Sequence, residues 1–294
     1  MQKASKKIKF NSFEILFALL VSARASAFLF NKLLITHIGV MTLMAVRFLT
    51  ATFLLFLLSP SRILHSNRKT VLGGAVLGVV FWGIMVCEMY AIREADTSLV
   101  SVLEHTAVVM VPLAEGALSR KMPSVSAFLG SLLAFAGIFC IGISSGSMSG
   151  SIGLSLLAAV FYTADLILTK RVTTTETDAI GIGVVQLFVM GLLSLLSSFL
   201  LEPFSLPRGT REILMFLYLV FVCTVFGYTL TPYAQSKISV ERAGIIAAVN
   251  PAVTTLLGVI VLGESFSFLA ASGIVLILLS LLLPYLPLPG RKDR

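Results

Sequence analysis

The chain has 294 residues, 57 % of them hydrophobic and 12 % charged, with a mean hydropathy of +1.00 and a net charge of +8. The charged share is about half the usual one, too little to cover a water-soluble fold, so the sequence reads as a polytopic membrane protein. At ~20 residues per helical crossing nothing is left for a soluble catalytic or nucleotide-binding domain, and neither Gly-x4-Gly-Lys-Ser/Thr nor Gly-x-Gly-x-x-Gly occurs.

Apolar segments run over 13–35, 41–58, 71–92, 97–118, 124–143, 151–170, 180–201, 211–235, 243–262 and 267–286. Backbone facing lipid must satisfy its own amides, which makes these helices, and no period-two alternation points to a barrel. The expected fold is all-α, with ten transmembrane helices. In the first segment Ala23-Arg24-Ala25-Ser26-Ala27 mimics a signal-peptide cleavage site, but the apolar run continues to Ile35 and is read as a retained span. With both termini cytoplasmic, sixteen Lys and Arg fall on the cytoplasmic side and four (Lys32, Arg93, Arg208, Arg211) on the other. That is the positive-inside distribution expected of a plasma membrane protein, here a bacterial inner membrane one. The excess positive charge is thus a topology signal and not a nucleic-acid footprint. Cys87, Cys140 and Cys223 sit singly inside apolar runs, and His37, His65 and His105 are scattered. The reading is therefore small core residues, no disulfide framework, no metal site and no cofactor.

The two halves are similar to each other. Lys32 matches Lys170 at an offset of 138, Arg47 matches Gln186 at 139, and Tyr90-Ala91 matches Tyr233-Ala234 at 143, which also carries Gly130 onto Gly273. The extra residues fall in the loop around Glu202–Thr210. Five spans per half force the second half to insert upside down, so 1–145 and 146–294 form two inverted repeats of one membrane domain, a construction that places substrate at the midplane between them.

Ten spans as five plus five resemble the drug/metabolite transporter superfamily, in particular its EamA-type members. The resemblance is carried by Tyr233-Ala234, Glu241-Arg242-Ala243-Gly244, Asn250-Pro251 and Leu262-Gly263-Glu264, and by Ala45-Val46-Arg47-Phe48-Leu49 in the first half. It implies gradient-driven movement of small metabolites, often amino acids. The chain departs from the family pattern with Val21-Ser22-Ala23-Arg24 where a Trp-Gly pair is common, with Val108 at the place of Pro251, and with Lys121 at the place of Glu264.

A charge in mid-bilayer costs ~2.5–3.5 kcal/mol and needs a partner or a task. Arg24 is eleventh from either end of its segment, about 16 Å from each, and its repeat mate is Tyr162, with Asp165 one turn further on. Arg24 and Asp165 are read as a pair across the repeat interface, either handling substrate or fixing helix register. Glu104 and His105 in the fourth span are read as substrate-binding, with Glu104 and Asp165 as proton-coupling candidates, against a salt bridge of Glu104 to Arg47 or Arg24. Pro112 is expected to kink that span. Trp82, Tyr162 and Asn250 are further substrate-binding candidates. Arg47, Gln186 and Glu88 are read as structural polar residues, Glu88 pairing with Arg93, and Glu115 is assigned to Arg120 and Lys121. Gly74 and Gly78 have the GxxxG spacing of close helix packing, within the chain or in a dimer.

Together these readings give a secondary transporter, an exporter of a small polar or zwitterionic metabolite, with protons as coupling ion and no enzyme activity, as a monomer or homodimer in the lipid bilayer. The alternatives are efflux of lipophilic cations and, from another class, a polytopic enzyme acting on a lipid carrier.

Overall fold

A computed structural model describes residues 11–60, 66–120, 125–145, 151–264 and 267–283. Every regular element among them is helical. Eight helical stretches are long and apolar enough to cross a membrane: Ser12–Leu34, Val40–Leu58, Arg68–Glu94, Thr97–Leu118, Ile152–Val172, Ala179–Leu201, Thr210–Ser236 and Val240–Leu262. Two further helices, Val125–Ser145 and Phe268–Leu282, stand at the fifth and tenth places. The ten-helix, two-repeat membrane fold is thereby established. Leu58, Leu200, Ile260 and Phe268 point outward at 75, 84, 76 and 90 % exposure, part of an apolar collar that only a lipid environment accommodates.

Local chemistry sets the ends. Asn11 caps the first span in a reciprocal capping box with Glu14, Asn67 caps the third through Thr70 N, and Ser239 caps the ninth through Arg242 N. The third span consequently starts at Arg68 and the ninth at Val240, each three residues earlier than apolarity alone indicates.

The fourth and ninth spans are broken at matched places. The fourth consists of Thr97–Glu104 and Ala107–Ser119, the ninth of Val240–Ala247 and Val249–Leu257 with a π-helical end over Gly258–Leu262. The breaks, at His105-Thr106 and Ala248, are separated by the repeat offset of 143. The expected kink at Pro112 is not where the span bends, because Pro112 lies inside the continuous helix Ala107–Ser119. At the break the backbone bonds tighten to three-residue steps, from Thr106 N to Leu103 O, Val108 N to His105 O and Val109 N to Thr106 O, and side chains share the carbonyls: His105 Nδ1 donates to Ser101 O at 2.7 Å and Thr106 Oγ1 to Leu103 O at 2.7 Å. Pro251 sits in the first turn of its half-helix, where a missing N–H costs nothing.

Repeat-related residues meet one another, as an internal two-fold requires. Tyr228 Oη lies 3.6 Å from Sδ of Met85, its mate at offset 143. A Cβ added to Gly137 would stand 2.5 Å from Gly273 O, and one on Gly130, the mate of Gly273, 3.5 Å from the carbonyl of Ser280, the mate of Gly137. The fifth and tenth spans therefore pack backbone to backbone about the pseudo-axis. Gly74 and Gly78 serve the same end inside the chain, where Cβ atoms would meet Val185 at 2.6 Å and Val189 at 2.7 Å in the seventh span. Replacing Gly137 by Leu forces these spans apart; overpacking of this kind costs about 1–3 kcal/mol, so the variant is expected to unfold at lower temperature and yield less monodisperse protein than wild type, while Ser272→Ala, at a half-buried position whose hydroxyl bonds within its own helix, leaves both nearly unchanged.

Candidate functional site

At the level of the broken helices, charged side chains from both halves converge in the interior. Arg24, Arg47, Glu88, Glu104 and Asp165 are each at most 6 % exposed. They come from the first, second, third, fourth and sixth spans. The eighth span closes the group with Thr224 and Tyr228, both buried.

Arg24 rests its guanidinium on rings, with Cζ 4.4 Å from the Tyr228 centroid and 4.9 Å from that of Phe81. Asp165, Tyr162 and Tyr228 are its electrostatic neighbours. Among the described residues Arg24 and Asp165 form no ion pair within 4.0 Å, so the two occupy one polar interior without direct contact. Arg47 donates from Nε to Thr224 Oγ1 at 2.7 Å and from Nη1 to Asn31 Oδ1 at 3.2 Å. Its Cζ lies 5.5 Å from the same Tyr228 ring.

The carboxylates face these cations. Glu88 is acted on most strongly by the charges of Arg47 and then Arg24, and has Asn31 as its hydrogen-bond neighbour. It is buried within the bundle and does not pair with Arg93, the partner expected from its position near the span end. Sequence proximity suggested that partner, whereas the fold turns Glu88 inward toward the second span. Glu104 faces Glu88 and Arg24, and no salt bridge joins it to either arginine. His105 spends Nδ1 on the helix end and sets its ring edge-on to Tyr162 at 5.2 Å. Asn250 accepts hydrogen bonds at 3.1 Å from Ser101 and from Thr254, tying the two broken spans together at their breaks. Trp82 is half-buried against the core beside Phe81, with Nε1 inside the protein. Gln186 is buried, its backbone carbonyl at the close contact of the seventh span with Gly78. Glu115 meets Arg171 of the second half at 3.9 Å, and Lys121, one of the partners expected for it, lies outside the described residues.

Hydrogen-bonding capacity is left over inside this group. Donors Arg24 Nε, Asn31 Nδ2, Arg47 Nη2 and Trp82 Nε1, and acceptors Glu88 Oε1, Glu104 Oε2 and Asp165 Oδ1, are buried with no partner within the protein. A buried polar atom without a partner costs about 1–3 kcal/mol, and here donors and acceptors of both signs bear that cost. Sequence reasoning missed Asn31, Thr224 and Tyr228. Asn31 was within reach, since it stands seven residues after Arg24 on the same helix face.

Toward the membrane surfaces, repeat-related lysines make equivalent ties. Lys32 Nζ donates to Ala95 O at 2.9 Å, just past the third span, and Lys170 Nζ to Ser236 O at 2.5 Å, at the end of the eighth. Between the halves, Glu202 accepts from Thr42 N at 2.6 Å and Glu264 from Thr97 Oγ1 at 2.9 Å, each at the N-terminus of a first-half span. At the opposite face Glu14 pairs with Arg242 at 2.5 Å.

The profile of the EamA-like transporter family matches the chain twice, over residues 12–143 and 149–286. A solved structure described as "Crystal structure of protein" superposes with a TM-score of 0.74 over 93 % of this chain and 96 % of that one, at 16 % identity, a likeness of fold. No curated protein matches. The chain belongs to the EamA-like transporter family and is a multi-pass membrane transporter of the drug/metabolite type, acting on a small molecule within the lipid bilayer.

Proposed function

We propose that the protein is a secondary active exporter of a small zwitterionic or polar metabolite, an amino acid or a close relative, working by alternating access. The observation that carries this reading is the buried set of unpartnered donors and carboxylate oxygens at the helix breaks. Arg24 receives the substrate carboxylate, and Glu104 or Asp165 receives the amine, a charge-complementary arrangement. Trp82, Tyr162, His105 and Asn250 shape the walls of the site. A proton competes with the substrate amine for Glu104 or Asp165, and such competition makes inward protons and outward substrate alternate. The units 1–145 and 146–294 rock about this site, with both termini in the cytoplasm and the protein in the bacterial inner membrane.

Counterflow in proteoliposomes preloaded with an amino-acid mixture tests this. Wild type is expected to accumulate labelled tracer, Arg24→Ala to reduce accumulation at least about tenfold, equivalent to ~1.4 kcal/mol, and Glu104→Gln to remove the response to a proton gradient while the protein stays folded. Accumulation of tetraphenylphosphonium but of no amino acid would move lipophilic cations to the front.

In this topology Lys32 ties the outer ends of spans in the first half and Lys170 the inner ends in the second. Each tie is a charge-assisted hydrogen bond, part-buried at Lys32 and exposed at Lys170, and is taken at about 1.5 kcal/mol, the low end for charged groups. Lys32→Ala should therefore raise the outside accessibility of a cysteine at Asp165→Cys by up to about tenfold, and Lys170→Ala should raise its inside accessibility instead. Shifts of the same sign from both changes would count against rocking repeats.

A further inference from the structure

The eighth span contains a π-helical stretch, Leu219–Tyr228, between Thr210–Tyr218 and Thr231–Ser236. Within it Thr224 Oγ1 donates to Leu219 O at 2.7 Å and Thr229 N to Thr224 O at 3.3 Å, both spanning five residues. Such stretches hydrogen-bond less well than α-helix and concentrate at functional sites. Here the widened turn meets both arginines. Thr224 accepts from Arg47 Nε at 2.7 Å. Tyr228, four residues on, has its ring centroid 4.4 Å from Arg24 Cζ and 5.5 Å from Arg47 Cζ. Gly227 clears the way for the Arg24 side chain, since a Cβ there would come within 3.0 Å of Arg24 Cγ.

The ring that receives both cations is itself fixed. Phe81 and Phe48 stand edge-on to it at 5.1 and 6.0 Å, and its hydroxyl reaches Met85. Contact with an aromatic face orients a guanidinium while its in-plane N–H groups remain available. Each of the two keeps one such group, Arg24 Nε and Arg47 Nη2 being buried with no partner within the protein, while Tyr228 is also a side-chain hydrogen-bond neighbour of Arg24. Two oriented guanidiniums with free in-plane donors are suited to the two oxygens of one carboxylate.

We propose that Tyr228 is a positioning residue that sets carboxylate specificity, the π-helical stretch holding Arg24 and Arg47 together as a two-guanidinium seat for the substrate's acid group. Arg47, on sequence grounds a structural residue, is thereby a substrate-binding one. The inference rests on the transport reading above and deepens it.

The test is counterflow kinetics of the purified full chain in proteoliposomes, with labelled L-alanine, L-leucine and L-phenylalanine as probes. Tyr228→Leu is expected to raise KM for a transported amino acid about tenfold and leave kcat within about twofold. Tyr228→Phe and Tyr228→Trp, which keep a ring, restore KM to within about twofold of wild type. Gly227→Ala, which displaces Arg24 and leaves the ring in place, raises KM in the same direction and serves as the second variant should Tyr228→Leu fold poorly. An unchanged KM in Tyr228→Leu and Gly227→Ala overturns the inference alone, as does an equal loss in Tyr228→Phe, which would make the hydroxyl the active feature. Transport of none of the amino acids by wild type overturns the inference and the transport reading together.

Discussion

The structure is organised around the cost of placing charge in a membrane. Arg24, Arg47, Glu88, Glu104 and Asp165 all lie in the protein interior, each removed from water at a cost of several kcal/mol unless it is compensated. Compensation here is shared. Arg47 finds Thr224, Asn31 and the field of Glu88, while Arg24 finds two aromatic rings and lies near Asp165. Among the described residues no single tight ion pair closes the group off, and the capacity left over is what the proposed zwitterion site rests on. A fully satisfied network would make a firmer core and a poorer binding site.

The repeat symmetry supplies a scaffold onto which an asymmetric set of groups is placed. The backbone follows the symmetry closely, in the helix breaks at His105 and Ala248, in the Gly130–Ser280 and Gly137–Gly273 contacts, and in the lysine ties. The side chains do not. Arg24 is matched by Tyr162, Arg47 by Gln186, Glu88 by Thr231 and Glu104 by Ala247. The first half thus contributes most of the ions, and the second contributes Asp165 and the surfaces on which the arginines lie. Two similar halves can exchange conformations while a single oriented solute sits between them.

Much of the fold was legible because hydrophobic length is a strong signal in a membrane protein. Span number, the short connections and the internal repeat followed from apolar runs and three residue offsets. The helix interruptions were not. Pro112 is the louder local signal in the fourth span, yet the break falls at His105 and Thr106, where the backbone bonds tighten to three-residue steps and side chains share the carbonyls. The π-helical stretch has the same apolar composition as an α-helix and leaves no mark in the pattern. Arg24, Glu104, Asp165 and Tyr162 were singled out correctly as interior groups, since depth can be counted along a helix. Partners could not be counted that way. Glu88 was given to Arg93, a neighbour in sequence, whereas the charges that act on it in the fold, Arg47 and Arg24, come from other spans, and Glu115 gains Arg171 of the second half, a contact the sequence does not announce. Tyr228 was missed, although its offset of 143 from Met85 marks it as a residue of the pseudo-axis.

The most direct test of the central claim is an experimental density map of the protein with a transported amino acid bound. The account predicts density among Arg24, Glu104 and Asp165, with the acid group toward Arg24 and Arg47 and the amine toward the carboxylates. Density confined instead to the surface cleft lined by Lys69, Arg171 and Thr174, with the interior group unchanged, would contradict it.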